Sequence, residues 1–222
     1  MKILILGATG ACGEQITRKA ITNGHQVTAF VRNAGKLSQD LAPKVQVIEG
    51  SITDEETLRG AVRGQAVIIS ALGPPGPGYK SWNDTYRGVF PSFYTLLLRV
   101  MRECGVRRVF AMTTVSVYAE QDQRSVARAA LTGLVWAFGR PAYKEFVEIG
   151  NTFQSHGKDI EWTVYRVGAI TDGDEGKPSA GYVGQKGSGL RITRKCMAIW
   201  LVEQAEAFPL EWVRQMPYIS ST

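Results

Sequence analysis

Cysteine and histidine are scarce in this chain. Its 222 residues hold three cysteines, Cys12, Cys104 and Cys196, and two histidines, His25 and His156. The cysteines are odd in number, far apart and form no Cys-x-x-Cys pair. That argues against a disulfide framework and a zinc site, and fits a reducing compartment. Two histidines leave little for a histidine-rich centre, so no metal is expected. Long apolar runs are missing too. The opening run Ile3–Leu6 meets Gly7 too soon for a signal peptide. The longest stretch, Val126 to Gly139, carries Arg128 and, at about 14 residues, is too short to span a bilayer. These absences point to a cytoplasmic protein with no membrane partner.

Acidic residues are outnumbered, 20 against 26 basic, for a net charge of +6. The basic residues are scattered. The one dense group, Arg99, Arg102, Arg107 and Arg108, lacks interleaved stacking aromatics, so it reads as a solvated face rather than a nucleic-acid surface. Apolar residues at 44% and charged residues at 21% exclude a disordered or fibrous chain. The length suits a single domain over residues 1–222 whose core needs no staple.

What the chain does have is alternation. Ile3–Leu6, Gln26–Val31, Val45–Ile48, Ala66–Ala71, Val106–Met112 and Trp162–Val167 are short β-branched runs, as expected of strands buried on both faces. Glu14–Thr22, Asp54–Val62, Phe90–Glu103 and Tyr143–Ser155 carry helical patterning, and a last helix falls near Arg194 to Glu206. Thr53 followed by Glu56 predicts a capped start for the second helix. Repeated strand–helix–strand order predicts an α/β fold with a doubly wound parallel sheet. Two segments interrupt it. Gly73-Pro74-Pro75-Gly76-Pro77-Gly78 follows the fourth strand, at the end where open α/β sheets bind ligands. Thr171 to Gly189 is rich in Gly, Asp and Ser, and is expected either as an ordinary surface loop or as part of a substrate-side lid formed by residues 171–222.

The sharpest motif is Gly7-Ala8-Thr9-Gly10-Ala11-Cys12-Gly13, set between the first strand and the first helix. Glycines there permit a tight turn, let the backbone approach a pyrophosphate and allow close helix–strand packing. The helix start offers free N–H groups and partial positive charge to phosphates. A purely structural turn is the alternative. The second strand ends Val31-Arg32-Asn33, where an NAD site would carry Asp or Glu for the ribose hydroxyls. Arg32 instead suits a 2′-phosphate, which predicts NADP(H), unless it is only a surface arginine.

Gly7-Ala8-Thr9-Gly10-x-x-Gly13, Val31-Arg32-Asn33, Gly105-Val106-Arg107-Arg108-Val109 and Glu161-Trp162-Thr163-Val164-Tyr165-Arg166 resemble the atypical short-chain dehydrogenase/reductases. More narrowly, they are similar to the NmrA-like NAD(P)-binding group that includes flavin reductase/biliverdin-IXβ reductases. The likeness covers almost the whole chain and implies a Rossmann fold. It further implies that Leu72 and Gly73 lie along the cofactor, that Ser51 and Ile52 flank adenine, and that Thr113 and Thr114 match a Ser/Thr pair at the fifth strand's end. Thr114 is then the hydroxyl that orients a substrate carbonyl, or else the cap of a turn.

The sequence also departs from that pattern. Dehydrogenases with a Tyr-x-x-x-Lys pair place phenol and ammonium on one helix face. No such pair occurs here, and Tyr143 and Lys144 are adjacent, so they cannot share a face in that way. Tyr118 is a second phenol near the expected substrate end, and Lys144 falls near the ribose. The family's histidine after the sixth strand is replaced near Ala169, its Arg-Pro reads Arg166-Val167, and the Asp of its last-helix motif reads Cys196. Hydride transfer to a reactive acceptor does not need a dedicated Tyr/Lys pair.

Among other features, Val126, Ala127, Ala130, Leu131, Leu134, Val135, Trp136 and Phe138 give residues 125–139 an apolar surface, for core packing, a pocket wall or a dimer face. Tyr79, Trp82 and Trp136 are candidate lining for an aromatic site. Cys12 reads as a small filler, since a nucleophile there would collide with the phosphates. The expected function is an NADP(H)-dependent reductase, monomeric or homodimeric, acting on a small hydrophobic carbonyl, quinone or flavin. The alternatives are a dinucleotide-sensing binding protein and a non-redox isomerase or cyclase.

Overall fold

The computed structural model describes residues 1–73, 87–123, 129, 133, 140–174 and 176–222. Most of the Gly/Pro run after Gly73, the aromatics Tyr79, Trp82 and Trp136, and nearly all of the apolar 125–139 segment lie outside the described residues.

Six strands take the expected places: β1 (Lys2–Leu6), β2 (Gln26–Val31), β3 (Gln46–Glu49), β4 (Val67–Ser70), β5 (Arg108–Thr114) and β6 (Glu161–Val167). They pair in parallel in the order β3-β2-β1-β4-β5-β6. Among the described residues the α-helices are α1 (Ala11–Thr22), α2 (Glu55–Val62), α3 (Val89–Cys104), α4 (Arg140–His156) and α5 (Arg194–Glu206). This is the doubly wound Rossmann arrangement.

The two-residue period of the strands sorts the core into two layers. Leu4, Leu6, Ile68, Val109 and Val164 pack with Leu97 and Leu98 of α3 and Phe153 of α4. Ile3, Ile5, Ile69, Phe110 and Tyr165 pack on the other face with Ile16 of α1 and Met197 and Leu201 of α5. Each aliphatic side chain so buried contributes about 1.5–3 kcal/mol. That is why the strands read as unbroken apolar runs.

Three expectations need correction. Asp54, not Thr53, caps α2: its Oδ1 accepts from the Thr57 N–H at 3.1 Å and its Oδ2 from the Thr57 hydroxyl at 2.6 Å. A shorter carboxylate one residue further on does the work assigned to Thr53 and Glu56. Next, the segment 171–189 is not all irregular. After β7 (Ala169–Thr171) it contains β8 (Pro178–Gly181), and β9 (Arg191–Thr193) follows it. β8 pairs antiparallel with β10 (Tyr218–Ser221), which itself lies parallel to β6. Residues 171–222 are therefore partly built into an eight-stranded sheet, while β7 and β9 form a small ribbon. β8 has little strand propensity, with Pro at its first position and Gly at its last. It survives at the sheet edge, where a missing N–H is tolerated. Finally, the basic group divides. Arg99 pairs with Glu55 at 2.6 Å and Arg102 with Asp159 at 2.7 Å on the surface. Arg108 is buried, stacked 4.3 Å above Phe110 and donating to the Glu161 and Glu211 carbonyls. Burial lowers its pKa to about 10.

Candidate functional site

The turn from β1 into α1 shows why each glycine is there. Gly7 adopts a φ of +86°, open to glycine at no steric cost. A Cβ on Gly13 would stand 2.0 Å from the Gly7 carbonyl oxygen, so only glycine lets the helix approach the strand. Gly10 is different. Its φ of −89° and ψ of 156° suit any residue, and a Cβ there would meet nothing closer than the Gly7 oxygen at 3.4 Å. Nothing in the protein itself demands glycine at that position, whereas close approach by a phosphate does. Among the described residues no side chain caps α1, so its first N–H groups face outward. By contrast α2 is capped by Asp54, and α5 by Thr193. The residues present fit a dinucleotide.

Beside the turn lies a cleft of about 400 Å³. The glycine loop contributes Gly7 and Thr9, β2 contributes Phe30, Val31 and Arg32, and the segment after β3 contributes Gly50 to Thr53. Leu72, Gly73, Val89 and Phe90 complete it. Arg32, Ser51, Ile52, Leu72 and Gly73 are thus brought together with Gly7 and Thr9. Arg32 is exposed on this lining, and the nearby Glu49 carboxylate is turned toward the Ala34 N–H at 2.8 Å. Asn33 spends its side-chain oxygen on the Gly35 N–H at 2.9 Å, capping a short 3-10 turn. The Ser51 hydroxyl is within 2.8 Å of the Thr53 hydroxyl. Ala8 is buried, Ala11 exposed and Cys12 half-buried, so Ala11 and Cys12 offer backbone at the helix start. Burial pushes the Cys12 thiol up, against the opposing pull of Arg194, in keeping with a filler rather than a nucleophile.

Sequence reasoning missed the scaffold that fixes the end of β4. The Tyr165 hydroxyl donates to the Ser70 carbonyl at 2.9 Å, and the Ser70 hydroxyl pairs with the Tyr94 hydroxyl at 2.7 Å while accepting from the Leu72 N–H at 3.3 Å. Both phenols are fully buried, and burial pushes both up, so they hold position and do not titrate near neutrality. Their spacing in the chain gives no hint of the meeting. Phe146 then closes on Gly73, where a Cβ would come within 3.1 Å of its ring.

At the end of β5 the Thr113/Thr114 pair splits, because successive strand residues face opposite ways. Thr113 has no exposure and donates to the Tyr165 carbonyl at 3.4 Å, so its hydroxyl is withdrawn from the cleft, contrary to the expected cofactor contact. Thr114 is half-buried and accepts from the Ser116 N–H at 3.3 Å, making a turn. The neighbouring Ser116 hydroxyl is buried with no partner among the described residues. Tyr118 is 57% exposed. Tyr143 is half-buried and Lys144 exposed at consecutive positions of α4, so the two form no shared catalytic face. The next residue, Glu145, is buried, and its carboxylate accepts from the Gly88 and Phe90 N–H groups at the start of α3.

The loop carrying Tyr118 is tied down by charge. Arg166 and Asp122 have fully buried side chains and form a two-pronged pair at 2.5 and 2.8 Å. Arg166 also donates to the Met216 and Val117 carbonyls, and Asp122 accepts from the Ala119 and Val183 N–H groups. Burial pushes the Asp122 carboxyl up, but Arg166 and those N–H groups outweigh it and hold the group below the usual carboxylate range.

A family model described as NAD(P)H-binding matches residues 7–207. The chain belongs to that family. Its fold is shared with solved short-chain dehydrogenases/reductases. A wide-type short-chain dehydrogenase/reductase from Veillonella parvula, solved with NADP, superposes with a TM-score of 0.78 at 16% identity, covering 99% of this chain and 94% of that one. The anaerobillin reductase ChuY of Escherichia coli O157:H7 gives 0.74 at 20% identity, covering 100% and 97%. Among curated relatives, a probable pinoresinol-lariciresinol reductase 3 of Arabidopsis thaliana is 39% identical over 74 residues, 32% of this chain but only 24% of that protein. The match thus spans about a quarter of that relative's length. Among the described residues no helix is long and apolar enough to cross a membrane, and no cluster of His, Cys, Asp or Glu could hold a metal ion.

Proposed function

We propose that the protein is an NADP(H)-dependent reductase of a small, hydrophobic, conjugated acceptor such as a carbonyl, quinone or flavin. The observation that carries this reading is Arg32 on the lining of the cleft that the glycine loop opens, with the adjacent Glu49 carboxylate engaged elsewhere. A guanidinium there favours a 2′-phosphate over bare ribose hydroxyls. That the reaction is a reduction is supported by the reductases among the similar proteins, the probable pinoresinol-lariciresinol reductase and the anaerobillin reductase.

The bound dinucleotide supplies the hydride. The chain's own residues bind its phosphates on the open start of α1, hold the β4 end through Ser70, Tyr94 and Tyr165, and orient the acceptor from the β5 side. There Thr114 would donate to the acceptor oxygen, Tyr118 or Tyr143 would be the proton donor, and Lys144 would serve the ribose. Without a Tyr-x-x-x-Lys pair the reaction depends on positioning more than on a tuned acid.

Calorimetric titration with NADPH and NADH tests the cofactor. The wild type should bind NADPH at least about tenfold more tightly, a difference of about 1.4 kcal/mol, and Arg32→Glu should reverse the order. Equal affinities for the two cofactors would remove the assignment. Once an acceptor is found, Thr114→Val and Tyr143→Phe should each lower turnover. Unchanged turnover in both sinks the role assignments while leaving cofactor binding intact.

A further inference from the structure

A second cation reaches the glycine loop from the far end of the chain. Arg194 is the first residue of α5, placed by the Thr193 cap, whose hydroxyl oxygen accepts from the Cys196 N–H at 3.1 Å. Helices α1 and α5 share one core layer, in which Cys12 packs against the cluster that holds Cys196 and Met197. The Arg194 guanidinium lies close enough to the Cys12 thiol, at the second residue of α1, to pull its pKa down against the effect of burial. It therefore stands against the first turn of the uncapped helix.

Its present partner is a weak one. Arg194 forms an ion pair with Asp172, whose side chain is 90% exposed while that of Arg194 is only 25% exposed. Water screens such a carboxylate, so the pair adds little. Meanwhile the Arg194 Nε is buried with no acceptor among the described residues. A charged N–H withdrawn from water without an acceptor is unfavourable, and it asks for an explanation. The neighbouring pair, Lys195 with Asp174, shows what an ordinary surface bridge looks like here, with side chains 53% and 81% exposed. Arg194 is turned inward instead.

We propose that Arg194 is an anion contact of the cofactor site, exchanging Asp172 for the pyrophosphate of the bound dinucleotide. The planar fork of a guanidinium matches phosphate oxygens bidentately, and the helix N–H groups face the same anion. Asp172 then acts as a stand-in anion that holds the side chain ready in the free protein. The inference rests on the cofactor reading above, and adds to it a residue from the opposite end of the sequence to Arg32.

The test compares two ligands on the full chain. NADPH carries the pyrophosphate, and adenosine 2′-monophosphate carries only the adenine, ribose and 2′-phosphate. Arg194→Ala should weaken NADPH by about tenfold to a hundredfold, as expected for loss of a charge-assisted bidentate contact, and leave adenosine 2′-monophosphate within about twofold. Arg194→Lys should fall between. Asp172→Asn, a change at an exposed side chain, should tighten NADPH by about two- to fivefold by removing the competing anion. Unchanged NADPH affinity in Arg194→Ala overturns the proposal, and so does equal weakening of both ligands, which marks a general structural effect. Should Arg194→Ala fail to fold, Asp172→Asn decides, and unchanged affinity there overturns the exchange. A wild type that binds neither NADPH nor NADH defeats the cofactor reading itself, whereas one that binds NADPH with Arg194→Ala unaltered defeats only this inference.

Discussion

Around β1 to β4 the protein meets its cleft with backbone and small residues, and around β5, β6, β8 and β10 it uses buried charge. In the first region Gly7, Gly10 and Gly13 leave room, and α1 is left uncapped. In the second, the Arg166–Asp122 pair, joined by two hydrogen bonds, gathers the loop after β5, the second residue after β8 and the approach to β10 through four more to backbone. The difference follows from what each region must do. A phosphate site needs close approach of N–H groups, which side chains would block. The second region joins segments far apart in the chain, and one fully hydrogen-bonded ion pair can anchor several of them at once.

The largest expected effect lies in the second region. Asp122→Asn leaves Arg166 buried without its counter-charge and should cost about 3–5 kcal/mol in urea unfolding. The pH dependence has a definite sign. Because the Asp122 carboxyl is held below its ordinary value in the fold, its contribution is complete above about pH 4 and fades as pH falls through the folded value. The variant should lack that part of the acid-limb slope. A loss below 1 kcal/mol would mean that the second region is not held by charge, and the contrast would dissolve.

Next in size is Gly13→Ala, expected to cost about 1–3 kcal/mol or more, because its Cβ meets unyielding backbone. Gly10→Ala sharpens the point: stability should stay within about 1 kcal/mol while NADPH affinity falls, since only the ligand needs that space. Equal losses of stability at both positions would make the turn a packing device and nothing more. The smallest effect is Asp54→Ala, about 1 kcal/mol by thermal melt, for loss of the α2 cap.

The two regions also differ in how far they can be read from sequence. The glycine spacing, the strand before it and Arg32 are local signals, all within about one βαβ unit, and the structure gathers them around one cleft. The six parallel strands are legible for a related reason: burial on both faces leaves unbroken β-branched runs. β10 is not, because Tyr218-Ile219-Ser220-Ser221 is half serine, and β8 contains Pro and Gly. Asp122 and Arg166 are 44 residues apart, and Ser70 and Tyr165 are 95 apart. No periodicity links such partners. Thr113 shows a finer failure, since a matching dipeptide does not tell which hydroxyl faces the sheet interior.

The place of β10 has a consequence for assembly. Among the described residues β8 pairs with no strand of the sheet but β10, which lies between it and β6. During folding β8 therefore has no strand to join until a segment some forty residues later has docked. Removing Tyr218–Ser221 would strand β8 as well as delete β10, so a four-residue deletion should unravel the sheet edge by two strands.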